Sequence, residues 1–307
     1  EAAMIRLEKV SKSFDGVAAV DRVTLDVKEA RVTVIAGADG AGKSTLLKMI
    51  LGLVRRDEGR LFLRSRDIGN RYERITAVTG YMPERFSLYP DLSVEENLNF
   101  YADIHQVPRA RREEKKERLL EKTGMLQFRK RRAGALSGGM KQKLALSSIL
   151  LSAPDLIILD EPTTGVDPLS RIEFFNIIDD LKQEGKTILI STPYLDEAEK
   201  GDVIVFFKDG RIIKQGPIQT LKDAFPARLY RIQPEGSIFD LFDKLQADEH
   251  LRGDVYLQGR FIQCIRDKGE KLPDIPNVRI EEETPRLEDI YLYYERLHSI
   301  PNEGANG

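Results

Sequence analysis

A second cysteine is missing. Cys264 stands alone, which excludes an internal disulfide and any cysteine-cluster metal site and fits a reducing compartment. Charge of one sign is missing too, because 48 basic and 50 acidic side chains leave a formal net charge of -2. That balance makes no general case for nucleic-acid binding. Long hydrophobic runs are absent: the longest uncharged apolar stretch, Leu144 to Pro154, falls far short of the ~18 residues a spanning helix needs. The opening Glu1-Ala-Ala-Met-Ile-Arg lacks the basic start and apolar run of a secretory leader. Met4 is the expected natural start, with Glu1 to Ala3 a remnant ahead of it. Internal repeats and low-complexity segments are also lacking. What is there is a chain of 307 residues, 41% apolar and 32% charged. That is enough to bury a core in one large domain or two ordinary ones, under a well-solvated surface. A soluble cytosolic protein is expected.

Along the chain, Val20 to Val27 alternates apolar and polar residues as a half-buried strand does. Arg31 to Ala36 is a β-branched run ending at Gly37, and Ser44 to Leu53 reads as an apolar helix, so strand, glycine loop and helix follow one another. Arg74 to Tyr81 predicts another short strand. Ser93-Val-Glu-Glu96 matches a capping box and predicts a helix through Asn97 to His105. Pro108 opens a charged helix, Arg109 to Lys122, ended by Gly124, whose mixed charges read as a solvated face, with nucleic-acid contact the lesser alternative. Leu156 to Leu159 is a buried-strand run. Pro168 starts a helix expected to turn Leu169, Ile172, Phe175, Ile178 and Leu181 inward, with Gly185 at its end. Thr187 to Thr192 and Val203 to Phe207 predict two more strands, and Asp209-Gly210 turns the chain into Arg211 to Lys214. The alternation implies an α/β fold with a mainly parallel sheet, helices on its faces and an antiparallel part at its edges. After Gly216-Pro217 the pattern weakens to strands at Val255 to Leu257 and Phe261 to Ile265 and a helix from Leu287. The expected division is a first domain over 1–217, with a helical subdomain at about 84–150, and a small α+β extension over 218–307 that carries no assignable chemistry.

Gly37-Ala38-Asp39-Gly40-Ala41-Gly42-Lys43-Ser44 fits G-x-x-x-x-G-K-[ST], with Thr45 following. Glycines let backbone N–H groups curl around phosphate oxygens, and the helix starting near Lys43 aims its positive end at them. Lys43 should reach the β- and γ-phosphates while the Ser44 hydroxyl holds Mg²⁺. A chance glycine-rich turn is disfavoured by the strand before it and the helix after it. Leu156-Ile-Ile-Leu-Asp160-Glu161 puts two carboxylates at the end of a buried strand, where α/β sites form. Asp160 suits the Mg²⁺, as a direct ligand or behind one, and Glu161 suits a general base toward the attacking water. Alone this pair is weak, since many strands stop at acidic loops; beside the phosphate loop it is strong. Leu136-Ser137-Gly138-Gly139-Met140-Lys141-Gln142-Lys143 is a second anion cradle ahead of an apolar helix. One chain has little need of two such cradles for one triphosphate, whereas two chains sandwiching the nucleotide need both.

That last motif resembles the signature of the ATP-binding cassette (ABC) ATPases, and the resemblance runs from Ile5 to about Pro217. The resemblance implies a P-loop NTPase fold of the ABC type, ATP and Mg²⁺ as ligands, and a head-to-tail dimer. It places Phe14 where an aromatic stacks on adenine, although a core aromatic is the plainer reading of that residue alone. It makes Gly165-Val-Asp167-Pro168 the loop that crosses the dimer, and Asp196-Glu197-Ala198 the segment after the last core strand. Thr192-x-Tyr194-Leu195-Asp196-Glu197-Ala198-Glu199 and the C-terminal extension resemble the exporter branch often called ABC-2 type. The implied partners are transmembrane permease subunits and a second cassette, on the cytoplasmic face of the inner membrane. The loop at Glu84 to Leu92, with Phe86, Leu88 and Tyr89, is the implied docking surface; those apolar residues fit a subdomain core equally well.

The chain departs from the family pattern at three positions. Tyr81-Met-Pro is followed by Glu84 where the family usually has Gln contacting Mg²⁺ and the membrane partner. Thr192 is followed by Pro193 where the family has a His that donates to the γ-phosphate. Asp39 replaces a common Asn. Pro193 offers neither an imidazole nor a backbone N–H, and losing one such donor costs about 10²–10³ in rate at comparable sites. Glu84 supports Mg²⁺ or merely adds negative charge, and Asp39 adds charge or faces solvent. His105, His250 and His298 are too distant in sequence to be obvious substitutes. The expectation is a site that binds MgATP and hydrolyses it slowly. Its intact signature would complete a competent site on a different cassette, in an asymmetric pair or one half of a tandem two-cassette drug-efflux ATPase; the loose tail Asn302 to Gly307 suits a linker. A tolerant homodimer relying on Glu161 is the alternative, as is an ATP-binding scaffold without turnover. Chromosome-type relatives need a long coiled coil, and the stretch from Glu84 to Ser137 is too short for one. Ribosomal types carry two cassettes, and no Asn-Lys-x-Asp guanine reader occurs.

Overall fold

The computed structural model describes residues 2–85, 88–248, 251, 254–270, 272–273 and 275–299. Backbone contacts divide the chain into two compact units, Glu1–Ile212 and Ile213–Gly307. Among the described residues, no helix is long and apolar enough to cross a membrane.

The first unit opens with β1 (Ala3–Phe14) and β2 (Val17–Lys28), paired antiparallel from Ala3↔Lys28 to Phe14↔Val17. Then come β3 (Val32–Ala36), α1 (Lys43–Leu51), β4 (Glu58–Leu63), β5 (Arg66–Asp67), α2 (Glu73–Thr76) and β6 (Thr79–Met82). A helical segment follows: α3 (Val94–Ile104), α4 (Arg109–Lys122) and α5 (Gly138–Leu150). The chain returns through β7 (Leu156–Asp160), α6 (Pro168–Gln183), β8 (Thr187–Thr192), α7 (Leu195–Ala198), β9 (Val203–Lys208) and β10 (Arg211–Gly216), and crosses into the second unit within β10. One sheet has the order β2-β1-β4-β5; the other has the order β10-β9-β3-β8-β7-β6. In the second sheet, β3 pairs in parallel with β8 and β9, and β7 in parallel with β6 and β8. Every residue of β3, β7 and β8 is buried, as a strand covered on both faces requires. Their C-terminal ends therefore lie side by side, where α/β proteins place their sites.

Local chemistry explains most boundaries. Ser93 caps α3 with its hydroxyl while Glu96 reaches back to the Ser93 N–H, a complete capping box. Gly52, at φ 73°, ends α1 at Leu51, two residues before the expected Leu53. Asp209 and Gly210 both take positive φ, 48° and 77°, as a two-residue hairpin turn demands. Two expectations need correction. The stretch Arg74 to Tyr81 is not one strand: its first half closes a helical turn through Ile75 and Thr76 N–H bonds to the Tyr72 carbonyl, and only Thr79–Met82 is extended. In α6, Leu169 and Ile172 are not inward but 66% and 56% exposed. Phe175, Ile178 and Leu181 are buried as expected, joined by Phe174 and Ile177, while Ser170 and Arg171 are half-buried. The first turn must present Ser170 to Gly139, where an added Cβ would lie 2.4 Å from the Ser170 side chain.

The helical segment has its own core of Val94, Leu98, Ala102, Leu120, Met125, Leu136 and Leu144, against which Leu88 packs. Tyr89 is exposed and lies edge-on to Phe100; Phe86 lies outside the described residues. His105 is half-buried, and burial pushes its imidazole below the ordinary value; His298 is exposed, and His250 lies outside the described residues.

The second unit holds α8 (Ile218–Asp223), β11 (Ala227–Pro234), α9 (Ile238–Ala247), β12 (Val255–Gln258), β13 (Phe261–Asp267), β14 (Val278–Glu283) and α10 (Leu287–Ser299). Its sheet has the order β12-β13-β11-β14, antiparallel throughout. Ile232, Leu245, Val255, Ile262 and Cys264 form a core beneath α9.

Candidate functional site

The loop between β3 and α1 needs glycine for two separate reasons. An added Cβ at Gly37 would lie 2.0 Å from the Phe207 carbonyl oxygen, and one at Gly42 would lie 2.1 Å from the Ala19 carbonyl oxygen. Gly40 has open space around it but a φ of +78°, which L side chains rarely adopt. Ala38, Asp39 and Gly40 are exposed, Ala41 is buried, and Ser44 and Thr45 are half-buried in the first turn of α1. The loop thus turns its backbone outward at the N-terminus of a nine-residue helix, the geometry that collects anions.

Lys43 is buried, with its ammonium folded back into the loop. Nζ donates to the carbonyl oxygens of Gly37 at 2.8 Å and Ala38 at 3.0 Å and lies 3.2 Å from Glu161 Oε1. Ser44 Oγ donates to Asp160 Oδ1 at 2.8 Å. The same oxygen accepts from Ser191 Oγ at 2.6 Å, because Asp160 and Ser191 are register partners on β7 and β8. Tyr81 OH stands 3.5 Å from Asp160 Oδ2, and burial first, then the Asp160 charge, pushes that phenol well above its ordinary value. Glu161 has left-handed backbone, φ 50°, a strained conformation for a glutamate. Its N–H donates to both the Ser191 carbonyl and the Ser191 hydroxyl at 3.1 Å, which holds that turn.

The end of β8 completes the cluster. Gly37 N–H donates to the Thr192 carbonyl at 3.3 Å, so Pro193 follows directly beside the phosphate loop. The Thr192 hydroxyl is fully committed: it donates to Glu197 Oε2 at 2.5 Å and accepts from the Tyr194 N–H at 3.1 Å. Glu197 is buried, and burial raises its carboxyl above the usual range against the lowering pull of Thr163, Thr192 and Arg171. Glu84 is exposed just beyond β6.

The remaining candidates are Ser137–Gly139, Asp167 and Phe14. Ser137 caps α5, its hydroxyl accepting from the Met140 N–H at 3.3 Å. The neighbours of Gly138 and Gly139 are Gly165, Val166 and Ser170. Asp167 caps α6 by accepting from the Ser170 N–H at 2.9 Å, and that bond lowers its carboxyl below the usual range. Phe14 ends β1, 47% exposed, with Lys12 Nζ 5.2 Å from its ring centroid. So Gly37–Thr45, Asp160, Glu161 and Pro193 converge through these contacts, while Phe14 stands at the end of β1 and Ser137–Gly139 at the start of α5.

The donor set suits a hard divalent cation. Mg²⁺ takes one or two carboxylates, waters and substrate phosphates rather than an all-protein cage. Ser44 and Asp160 supply two oxygens bonded to one another. Among the described residues no group of three or more His, Cys, Asp or Glu forms a cage. Sequence reasoning missed Ser191, Thr163 and Arg171, and named Tyr81 and Glu197 only as parts of motifs. A hydroxyl within the apolar run Ile188-Leu-Ile-Ser191-Thr192 was the available signal for the first.

Comparison with known proteins agrees with this geometry. Residues 20–164 match the family described as ABC transporter. The chain is 38% identical over 301 residues to the probable multidrug ABC transporter ATP-binding protein YbhF of Escherichia coli (strain K12), covering 94% of this chain and 52% of YbhF. It therefore spans about half the length of that relative. It is 30% identical over 306 residues to the ABC transporter ATP-binding protein YxlF of Bacillus subtilis (strain 168), covering 94% of this chain and 98% of YxlF. Among solved structures, a nucleotide-free ATP-binding cassette from an ABC transporter superposes with a TM-score of 0.64 at 29% identity, over 70% of this chain and 91% of that one. A dimeric bacterial ABC transporter cassette, MJ0796, superposes with a TM-score of 0.63 at 26% identity, over 70% and 98%.

Proposed function

The chain belongs to the ABC transporter ATP-binding protein family, and from that premise we propose that it is the ATP-binding and hydrolysing subunit of an ABC membrane transporter of the exporter type. One observation carries the reading: buried Lys43 lies between the Gly37 and Ala38 carbonyls and Glu161, beside the bonded pair Ser44–Asp160. In this reading the N–H groups of Gly37 to Thr45 cradle the triphosphate and Lys43 exchanges its carbonyl partners for the β- and γ-phosphates. Ser44 and Asp160, with Glu84 from the loop after β6, hold Mg²⁺. The bound ion neutralises phosphate charge. Glu161 orients and deprotonates the attacking water, and Phe14 stacks on adenine.

Ser137, Gly138 and Gly139 serve the site of a second cassette in a head-to-tail dimer, with Asp167 at the crossing loop. Their neighbours on this chain, Gly165, Val166 and Ser170, are compatible with a role away from the chain's own phosphate loop. Pro193 leaves the site without a switch donor, so turnover is slow. Permease subunits dock at a cleft of about 390 Å³ between the loop after β6 and α5, bordered by Glu84, Arg85, Leu88, Lys141 and Gln142. The protein works on the cytoplasmic face of the inner membrane. The cassette extends to about residue 217, with 84–150 as its helical subdomain and 218–307 as an accessory domain.

Calorimetry and light scattering with MgATP test the reading. Binding that disappears in Lys43→Ala, with nucleotide-driven pairing that disappears in Ser137→Arg, is expected; a chain that binds no MgATP contradicts it. Pro193 favours a second reading, an ATP-binding scaffold, which would pair on MgATP without turnover.

A further inference from the structure

Two connections border the candidate site, 161–167 between β7 and α6 and 193–194 between β8 and α7, and one buried carboxylate reaches both, at Thr163 and at Thr192. Glu197 is 3% exposed, and both of its oxygens are used. Oε1 accepts from Thr163 Oγ1 at 2.5 Å, two residues past Glu161. Oε2 accepts from Thr192 Oγ1 at 2.5 Å, one residue before Pro193. Arg171 Nη1 lies 3.6 Å from Glu197 Oε1, and Arg171 Nε donates to the Val166 carbonyl at 3.0 Å, one residue before Asp167. The guanidinium carbon also stands 4.1 Å from the centroid of the Tyr194 ring, on the far side of Pro193. A planar, forked cation can meet a carbonyl, a carboxylate and a ring face at once; an ammonium cannot.

This cluster has work to do. Glu161 sits in left-handed backbone, a conformation that persists only where the surroundings impose it. Pro193 cannot anchor its own turn by a side-chain or backbone donor, and both of its neighbours are held by the cluster. Next to Arg171, Ser170 packs so closely under Gly139 that no side chain fits between them. The first turn of α6 thus touches the signature helix on one side and the Glu197 cluster on the other.

Resting on the ATPase reading above, we propose that Arg171 and Glu197 are positioning residues. They hold the 161–167 connection, from Glu161 to Asp167, and the turn at Pro193 as one unit, so that displacement of the signature helix against Ser170 is felt at Glu161. The two therefore set the alignment of Glu161 without touching nucleotide.

The test uses the full chain and Glu197→Gln, Arg171→Lys, Arg171→Ala and the double variant Arg171→Ala with Glu197→Gln. Each single variant is expected to lower kcat by about tenfold or more while KM for MgATP stays within about twofold. The double variant should be no worse than the poorer single, because the residues act as a unit. Lysine should not rescue. Amide exchange of 161–167 and 192–197 should accelerate in the same variants while 43–51 is unchanged. Parental kcat in Glu197→Gln and Arg171→Lys overturns the proposal, and so do multiplicative losses or a matching loss of MgATP affinity. If Arg171→Ala fails to fold, the near-isosteric Glu197→Gln and Arg171→Lys decide. A parent that binds MgATP without turnover refutes hydrolysis separately; unchanged exchange then overturns the tie, and faster exchange upholds it.

Discussion

Replacing Pro193 by histidine perturbs the position that the proposed function leaves without a switch donor. Pro193 is half-buried between Thr192, whose carbonyl accepts from Gly37 beside the phosphate loop, and Tyr194. The adjacent Thr192 hydroxyl does not stand in for it: Thr192 Oγ1 accepts from the Tyr194 N–H and donates its single proton to Glu197. A preorganised donor aimed at charge that develops in the transition state contributes about 10²–10³ in rate, or about 2.7–4 kcal/mol. Pro193→His should therefore raise kcat by up to that factor with little change in MgATP affinity. Pro193→Ala is the control, since it restores the backbone N–H without the ring and should recover little. The assay is steady-state phosphate release under saturating MgATP, with equilibrium nucleotide binding measured alongside. A rate in Pro193→His that is unchanged or lower than the parent refutes the reasoning, and a rise in Pro193→Ala equal to that in Pro193→His assigns the loss to the backbone instead.

Gly37→Ala should weaken MgATP binding by about tenfold or more, because its Cβ would lie 2.0 Å from a main-chain oxygen of β9 that cannot step aside; calorimetry reads it, and parental affinity contradicts it. The fully buried Cys264 thiol is pushed up to about 12 by burial, so a thiol reagent at about pH 8 should label the chain only after unfolding. Glu95 is held down to about 2, chiefly by the Arg129 hydrogen bond at 2.5 Å. A depressed folded value means stability that is present above the ordinary 4.5 and lost as pH falls toward 2. Glu95→Gln should accordingly cost about 1–2 kcal/mol at neutral pH after allowance for solvent screening, and should flatten the acid-side decline in urea midpoints. An unchanged decline would contradict it.

The chemistry of the first unit was legible where a motif compels a backbone. Gly37 and Gly42 are required by contacts with Phe207 and Ala19, and Gly40 by its φ, so the spacing of the loop reports its shape directly. Capping chemistry was equally legible at Ser93, Ser137 and Asp167, each a short oxygen side chain just ahead of a helix. What stayed hidden depended on pairing across distance in sequence. Ser191 looks like an interruption of an apolar strand until register sets it opposite Asp160. Arg171 reads as a solvated helix residue until the short helix α7 brings Glu197 beneath it. The inward face of α6 was legible from Phe175 to Leu181, which are buried as expected, but not at its start, where Leu169 and Ile172 fit the helical period while close packing under Gly139 turns Ser170 toward α5. In the second unit β11 and β14 were missed. β14, Val278–Glu283, is mostly exposed and runs into three consecutive glutamates, a composition that signals solvent better than strand.

The most direct test of the whole account is steady-state MgATP hydrolysis by the purified chain, with Glu161→Gln as the blank and nucleotide binding followed in parallel. The account predicts that both proteins bind MgATP and that the parent turns it over slowly, at a rate that vanishes in Glu161→Gln. Turnover that survives intact in Glu161→Gln, or a parent that binds no MgATP, would contradict it.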